Sequence, residues 1–509
     1  MTSPLQRVWS QGRVYGLGNI LNRVAGLLLI PILLHTLSTE AWGAYALILV
    51  IGQVLLTVPA ALIDAMMRLY FDEGPQESTS AGGAETANRG DKVVATMLAV
   101  YLAIAVLFAV LAYPLAVVIG GLIFGHQDYL NALLIANVAL IFEILFEIEL
   151  GYFRMRMAAN LYIAATLVRS LVQFALSILF VVVLQMAVTG LLLGHLISVA
   201  LLAVPVVFWI AKRTGWRGSG EVGRELFRIG LPLLPANLAK ALLDLVGRAM
   251  LNVLASTSAV GIFALASKLA EQIHLLLGGP FTNVWSVQLL ELSSQPERAR
   301  EINRVMVYFV LLLMILVLAL ALYAPEVVML LSARDYWSAA AILPLLAFGY
   351  VARIFYTHFE TCIIQGKRTL PLPLLNWITV GVAVAAFYLL IPRFGLLGAA
   401  LADVAARSFR VVLSAWIAAS RSDYARYFPW VPVSSLIALA VVFQWAGALL
   451  IGPEVTVIGF LLKGMLVALY ALCGFFSPVL KGDERRHFGQ WIGQRVGPWV
   501  ALASRRLRG

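Results

Sequence analysis

The sequence predicts an all-α membrane protein of about fourteen transmembrane helices, and three observations carry that prediction. Apolar runs long enough to cross a bilayer recur from one end of the 509 residues to the other, separated by short charged punctuation. Only 12% of residues are charged against 61% hydrophobic, and the mean hydropathy is +0.91, which leaves too little polar surface for a water-soluble chain. Lys and Arg fall almost wholly in alternate loops. A run of about 20 apolar residues, rising about 1.5 Å each, crosses the roughly 30 Å hydrocarbon core as a helix and satisfies its backbone polar groups internally.

The first span, 13–35, is too long for a cleavable leader, lacks a small-residue cleavage pattern and leads straight into the second, 42–70. The hydrophilic stretch from Asp72 to Lys92, rich in Gly, Ser, Thr and Glu, reads as a flexible connector to the third span, 93–123. Arg154 and Arg156 part spans 130–152 and 160–184, and Lys212 and Arg213 follow span 188–211. Beyond a basic segment come spans 227–254 and 259–290. Arg298, Arg300 and Arg304 precede spans 305–331 and 337–364, and Lys367 and Arg368 precede spans 371–391 and 396–419. Two more spans, 430–451 and 455–479, precede a basic tail in which Trp491 and Trp499 are interleaved, the pattern of an interfacial amphipathic segment.

On this assignment twenty-five loop and tail cations share one side of the membrane, and only Arg334 and Arg393 face the other. By the positive-inside rule both termini are cytoplasmic. The net charge of +11 is therefore a topology signal that also favours anionic lipid heads, and nucleic acid is not an implied partner. Cys362 and Cys473 fall in or near spans and read as small buried hydrophobes, so neither a disulfide framework nor a metal site is expected. The chain has no Walker A loop, no H-E-x-x-H pair and no dinucleotide fingerprint, so no cofactor is expected. Its external loops, the longest near 120–129 and 324–336, are too short for a catalytic domain. A non-enzymatic protein is expected, with no catalytic residues.

Two halves overlay. Leu37-Ser38-Thr39-Glu40-Ala41-Trp42-Gly43-Ala44-Tyr45-Ala46-Leu47 leads into span two, and Ala255-Ser256-Thr257-Ser258-Ala259-Val260-Gly261-Ile262-Phe263-Ala264-Leu265 leads into span eight, 218 positions later. Asp128-Tyr129-x-x-Ala132 matches Asp335-Tyr336-x-x-Ala339 at an offset of 207, the longer connector after span two accounting for the change. The expected organisation is an N-terminal six-helix bundle (1–211), a cytoplasmic linker (212–226), a C-terminal six-helix bundle (227–426), two additional transmembrane helices (427–480) and the basic tail (481–509). An even number of helices per copy makes the two repeats parallel, around a central cavity; such repeats build transporters that work by rocking.

These anchors, with Gly395-Leu396-Leu397-Gly398-Ala399-Ala400 at the start of span twelve, give the chain a family resemblance. Over its whole length it resembles the polysaccharide transporters of the multidrug/oligosaccharidyl-lipid/polysaccharide exporter superfamily, especially bacterial O-antigen and exopolysaccharide-repeat flippases. The resemblance implies a multi-pass protein of the bacterial cytoplasmic (inner) membrane with a V-shaped cavity lined by spans 1, 2, 7 and 8. It implies a polyprenyl-diphosphate-linked oligosaccharide, carried on undecaprenyl, as substrate. Its implied partners are membrane lipids, a polysaccharide polymerase and glycosyltransferases.

Ionisable residues within spans point the same way, because each costs about 2.5–3.5 kcal/mol to insert and so faces a cavity or a partner. By helix rise, Arg23 lies about 15 Å past Arg13, Lys240 about 18 Å past Arg228, and Lys268 about 15 Å below the external end of span eight. In the repeat frame Arg23 and Lys240 differ by one position. Arg supplies a bidentate fork and Lys a mobile point charge for a diphosphate. Gln53 and Arg248 complete the candidate substrate contacts, although Lys240, Asp244 and Arg248 lie on one stripe and could satisfy one another. Glu271, Asp244 and Asp64 are candidates for coupling to an ion; Lys268 neighbours Glu271, and Arg68 could pair with Asp64. Glu143 and Glu147 share a helix face and could pair with Arg169. Pro31, Pro59, Pro114, Pro232, Pro235, Pro280 and Pro344 are expected to break or kink helices. A multidrug exporter or a lipid II flippase of the same superfamily stays open as an alternative. A membrane glycosyltransferase or polymerase fits less well, for want of a catalytic loop.

Overall fold

The computed structural model describes Gly26 and residues 28–72, 83–216, 218–292, 299–365, 371–452 and 455–477, and among them only helices and turns occur. In order the helices are α1 Thr39–Leu55, α2 Thr57–Asp72, α3 Gly83–Ile119, α4 Leu130–Met155, α5 Ala159–Ser177, α6 Ala187–Thr214, α7 Gly220–Gly230 and α8 Leu234–Leu254. Then come α9 Thr257–Ile273, α10 Gly279–Leu292, α11 Ala299–Leu322, α12 Ala324–Leu331, α13 Ala339–Gln365 and α14 Pro371–Ala419. A single turn at Asp423–Arg426 leads to α15 Trp430–Ile451 and α16 Val457–Phe476. Among the described residues ten helical segments are long and apolar enough to cross a membrane, or eleven when the bent pair α1 and α2 is counted as one span. The chain is thus a multi-pass helical membrane protein.

The helical count differs from the fourteen expected spans for local reasons. Predicted spans eleven and twelve both fall within α14, where two helices follow each other across a kink at Gly395, whose φ 54° and ψ −126° are not helical. Only a residue without a Cβ adopts that conformation readily, so Gly395→Ala is expected to cost about 1–3 kcal/mol, read as a lower unfolding midpoint in detergent. Most of the first predicted span, with Arg23 in it, lies outside the described residues, as does the tail 481–509. Two segments expected as connectors are partly helical. The end of the Asp72–Lys92 stretch extends α3 back to Gly83. The linker 212–226 contributes α7, which buries Val222 and Leu226 and leaves Glu221 and Arg224 exposed. Its start is fixed where the Ser219 amide donates to Thr96 Oγ1 at 2.9 Å.

The prolines divide by position. Pro59 is the third residue of α2, just past a 45° bend from α1, and Pro232 and Pro235 sit in a 3-10 turn and in the first turn of α8. Early helix positions have no intrahelical partner for the missing N–H. Pro114 and Pro344 lie within helices α3 and α13, which continue through them.

Two compact units emerge. The first holds the described residues up to Lys268, with Val328–Ile342 and the described part of Arg368–Leu413. Its core gathers Met66 of α2, Met97 and Tyr101 of α3, Phe146 of α4 and Ile210 of α6, all fully or nearly fully buried. The Tyr101 hydroxyl donates to the Pro59 carbonyl and so braces the α1–α2 bend. The second unit holds Leu269–Val327 and the described parts of Leu343–Lys367 and Ser414–Gly509. There α15 and α16 pack on α11, Gly447 against Leu322 and Gly474 against Leu311. The Tyr323 hydroxyl donates to the Phe460 carbonyl at 2.7 Å, and Lys463 Nζ donates to Glu326 Oε1 at 2.6 Å.

Candidate functional site

The stripe Lys240, Asp244 and Arg248 on α8 repeats every fourth residue, so all three share one helix face. α8 packs along α1 and α2 within the first unit. Lys240 and Asp244 are exposed and Arg248 is half-buried. Among the described residues none of the three makes a hydrogen bond or an ion pair, so the mutual pairing that their spacing allows does not form. Lys268 on α9 and Asp64 on α2 are also exposed. Glu271 belongs to the second unit, where Arg353 Nη1 lies 3.8 Å from its carboxylate.

Gln53 stands apart from that stripe. It lines a cavity of about 220 Å³ enclosed by α1, α3, α4 and α6, together with Asn137, Glu143, His195 and an apolar wall that includes Leu115 and Leu140. At its polar end Arg169 Nη2 of α5 donates to Glu143 Oε2 at 2.6 Å, and His195 Nε2 of α6 stands 3.3 Å from the same oxygen. The pairing of Glu143 with Arg169 was expected; Glu147 turns instead to Arg154 at 3.8 Å. Arg169 also lies over the Phe146 ring, 4.6 Å from its centroid. His195 reads from the sequence as a packing residue, and it is the meeting of three successive spans that brings it to Glu143 and Arg169.

A third feature joins the two sequence anchors. Gly43 of α1 lies against Gly261 of α9. A Cβ on Gly43 would meet the Gly261 amide nitrogen at 2.8 Å and run into the Thr257 carbonyl; one on Gly261 would run into the Thr39 carbonyl. Under a shift of 218 residues these contacts exchange with each other. Thr39 Oγ1 and Ser258 Oγ are hydrogen-bonded at 2.7 Å. The Tyr336 hydroxyl donates to the carbonyls of Leu37 at 3.1 Å and Ser38 at 2.9 Å, and the Tyr129 hydroxyl donates to Glu40 at 3.2 Å. Burial, then the nearby Glu40 carboxylate, pushes Tyr129 up to about 12, so it stays a donor at physiological pH. Asn252 Nδ2 adds a bond to the Ile123 carbonyl at 2.6 Å. Among the described residues no group of three or more His, Cys, Asp or Glu side chains is placed to hold a metal ion.

Long apolar helices, polar side chains kept inside them and a glycine crossing between two matching stretches of sequence make up a multi-pass helical membrane fold. The inward-closed lipid II flippase MurJ superposes with a TM-score of 0.72 at 14% identity, over 90% of this chain and 97% of that one. An inward-facing multidrug resistance MATE family transporter of the MOP superfamily gives 0.64 at 16% identity, over 82% and 96%. A MOP superfamily transporter from Pyrococcus furiosus, described as having a binding pocket of reverse polarity, gives 0.57 at 14%, over 84% and 97%. No individually curated protein matches. Residues 32–341 match the family described as polysaccharide biosynthesis protein, and the chain belongs to that family.

Proposed function

We propose that this protein is a flippase that moves a polyprenyl-diphosphate-linked oligosaccharide repeat unit across the bacterial cytoplasmic membrane, for O-antigen, capsule or exopolysaccharide synthesis. The observation that carries the reading is the α8 stripe: in a polysaccharide biosynthesis family member, Lys240 and Arg248 stay without an ion pair among the described residues inside an apolar helix. Unspent cations in a span suit a substrate that brings its own negative charge and must shed water to cross. Arg23, Lys240, Lys268 and Arg248 would hold the diphosphate, Asp244 would temper their charge, and the lipid tail would stay in the bilayer. The halves 1–211 and 227–426 would rock about the Gly43–Gly261 crossing, with both termini cytoplasmic. A polymerase would consume the product and glycosyltransferases would supply the substrate.

The test is complementation of a strain that lacks its polysaccharide, with leaflet accessibility of the lipid-linked repeat measured. Arg23→Ala and Lys240→Ala are expected to trap the repeat in the inner leaflet and cut export about tenfold or more each, the loss of one charge-assisted contact. Normal export with both cations removed would overturn the assignment. Rescue of peptidoglycan synthesis instead would point to lipid II, and drug resistance without export would point to a multidrug exporter.

A further inference from the structure

We propose that the N-terminal half carries a proton-binding site, built from His195, Glu143 and Arg169, that takes up the coupling proton for translocation. The proposal rests on the transporter reading above for its purpose and on separate geometry for its place.

Three helices meet at one oxygen. Glu143 on α4 receives a hydrogen bond from Arg169 on α5 and faces His195 on α6, and the three side chains are only 14%, 16% and 18% exposed. Glu143 lies eleven residues from Arg154, so about 16 Å into its span. Arg169 already supplies one full positive charge to Glu143. The imidazole is therefore surplus to electrostatic satisfaction, and it is the side chain whose charge ordinarily changes between about pH 5 and 8.

The cluster also borders space that can hold water. Glu143 and His195 both line the 220 Å³ cavity, which has room for several waters at about 30 Å³ each. Asn137 on the same wall is 6% exposed, and its Oδ1 accepts no hydrogen bond among the described residues. Gln53 lines the cavity from α1. An amide oxygen buried without a donor is costly unless a solvent hydrogen reaches it.

The chemistry favours a proton over a metal ion. A metal cation would meet the Arg169 guanidinium 2.6 Å from the carboxylate it needs. A proton needs only one imidazole nitrogen. With the Nε2 hydrogen directed at Glu143, a hydronium in the cavity gives its proton to Nδ1; an N–H bond forms, an O–H bond breaks and a water is left. The local charge rises from zero to plus one, and release reverses the step. Glu143 must then serve two cations, which loosens its hold on Arg169 and with it the α4–α5 contact. The surrounding groups are Tyr45 of α1, Asp64 of α2 and Tyr101 of α3, with Glu147, Glu149 and Arg154 of α4. Glu149 is fully buried, and neither of its carboxylate oxygens has a hydrogen bond among the described residues.

Two measurements test this on the full chain. In lipid nanodiscs without saccharide, the imidazole 15N resonances are followed from about pH 5 to about pH 8, the line lost in His195→Gln marking His195. A titrating His195 line whose midpoint moves in Glu143→Gln is the expected result; a flat line, or a midpoint indifferent to Glu143, overturns the site whatever the substrate. In vesicles holding the lipid-linked repeat, an imposed pH gradient is expected to drive translocation by the wild type but not by His195→Gln, which keeps an amide to face Glu143 and so an unchanged unfolding midpoint. A response that persists in His195→Gln, or that follows a sodium gradient instead, also overturns it. A titrating His195 in a protein that moves no saccharide would leave the site standing and refute the substrate reading.

Discussion

Gly261→Val is expected to abolish export, because the position opposite Gly261 is occupied by main chain. A Cβ there would overlap the Thr39 carbonyl oxygen, and a backbone atom inside a helix start has no rotamer by which to escape. Overpacking of this kind costs about 1–3 kcal/mol. Charged against one conformation only, that cost shifts a two-state equilibrium by about 5–150-fold. The variant should spend its time with α1 and α9 parted. Ser258→Cys, placed beside the crossing with Cys362 and Cys473 replaced by Ala, reports the change. Labelling by a membrane-impermeant maleimide should rise in Gly261→Val by the same factor, and Gly43→Val should match it. Unchanged labelling in both would mean that the crossing does not govern access to this face.

Lys463→Met is expected to give the largest loss of stability among single substitutions in the second unit. Lys463 is 3% exposed on its side chain and Glu326 12%, and their 2.6 Å contact joins α16 to α12. Removing one partner of a buried pair leaves the other charged and uncompensated, at about 3–5 kcal/mol. Replacing both, as Lys463→Met with Glu326→Leu, should recover most of that loss, since an apolar pair of similar volume avoids the cost of desolvating two charges. Unfolding midpoints of the four proteins in one detergent form the test. A double variant no better than the worse single variant would mean that the pair matters for more than electrostatics.

The membrane class and the helical architecture were legible in the sequence because hydropathy over 20 residues and the side preference of Lys and Arg are local sums. Anything that depended on one residue's backbone was harder to read. Gly395 was visible as part of a motif, yet only its positive φ explains how two helices follow each other across so short a break. α7 was hidden because eleven residues of strong amphipathic pattern look like a polar linker when counted by composition. Of the candidate site, spacing located the α8 stripe correctly. It also overstated the chance that Lys240 and Asp244 would pair, because side chains four residues apart can reach each other without doing so. The Glu143–His195 contact was illegible: those residues are 52 positions apart, and only packing of α4 on α6 brings them together. Gln53, a candidate substrate contact by sequence, lines the same cavity as Glu143.

Tyr129 and Tyr336 occupy matching places in the two stretches of sequence, yet both tether residues 37–40. Simple duplication would have given each copy a tether of its own. Residues 37–40 take both hydroxyls, so the two matching stretches of sequence do different work. A chain rebuilt with its halves in reversed order would keep every helix and lose this division of labour.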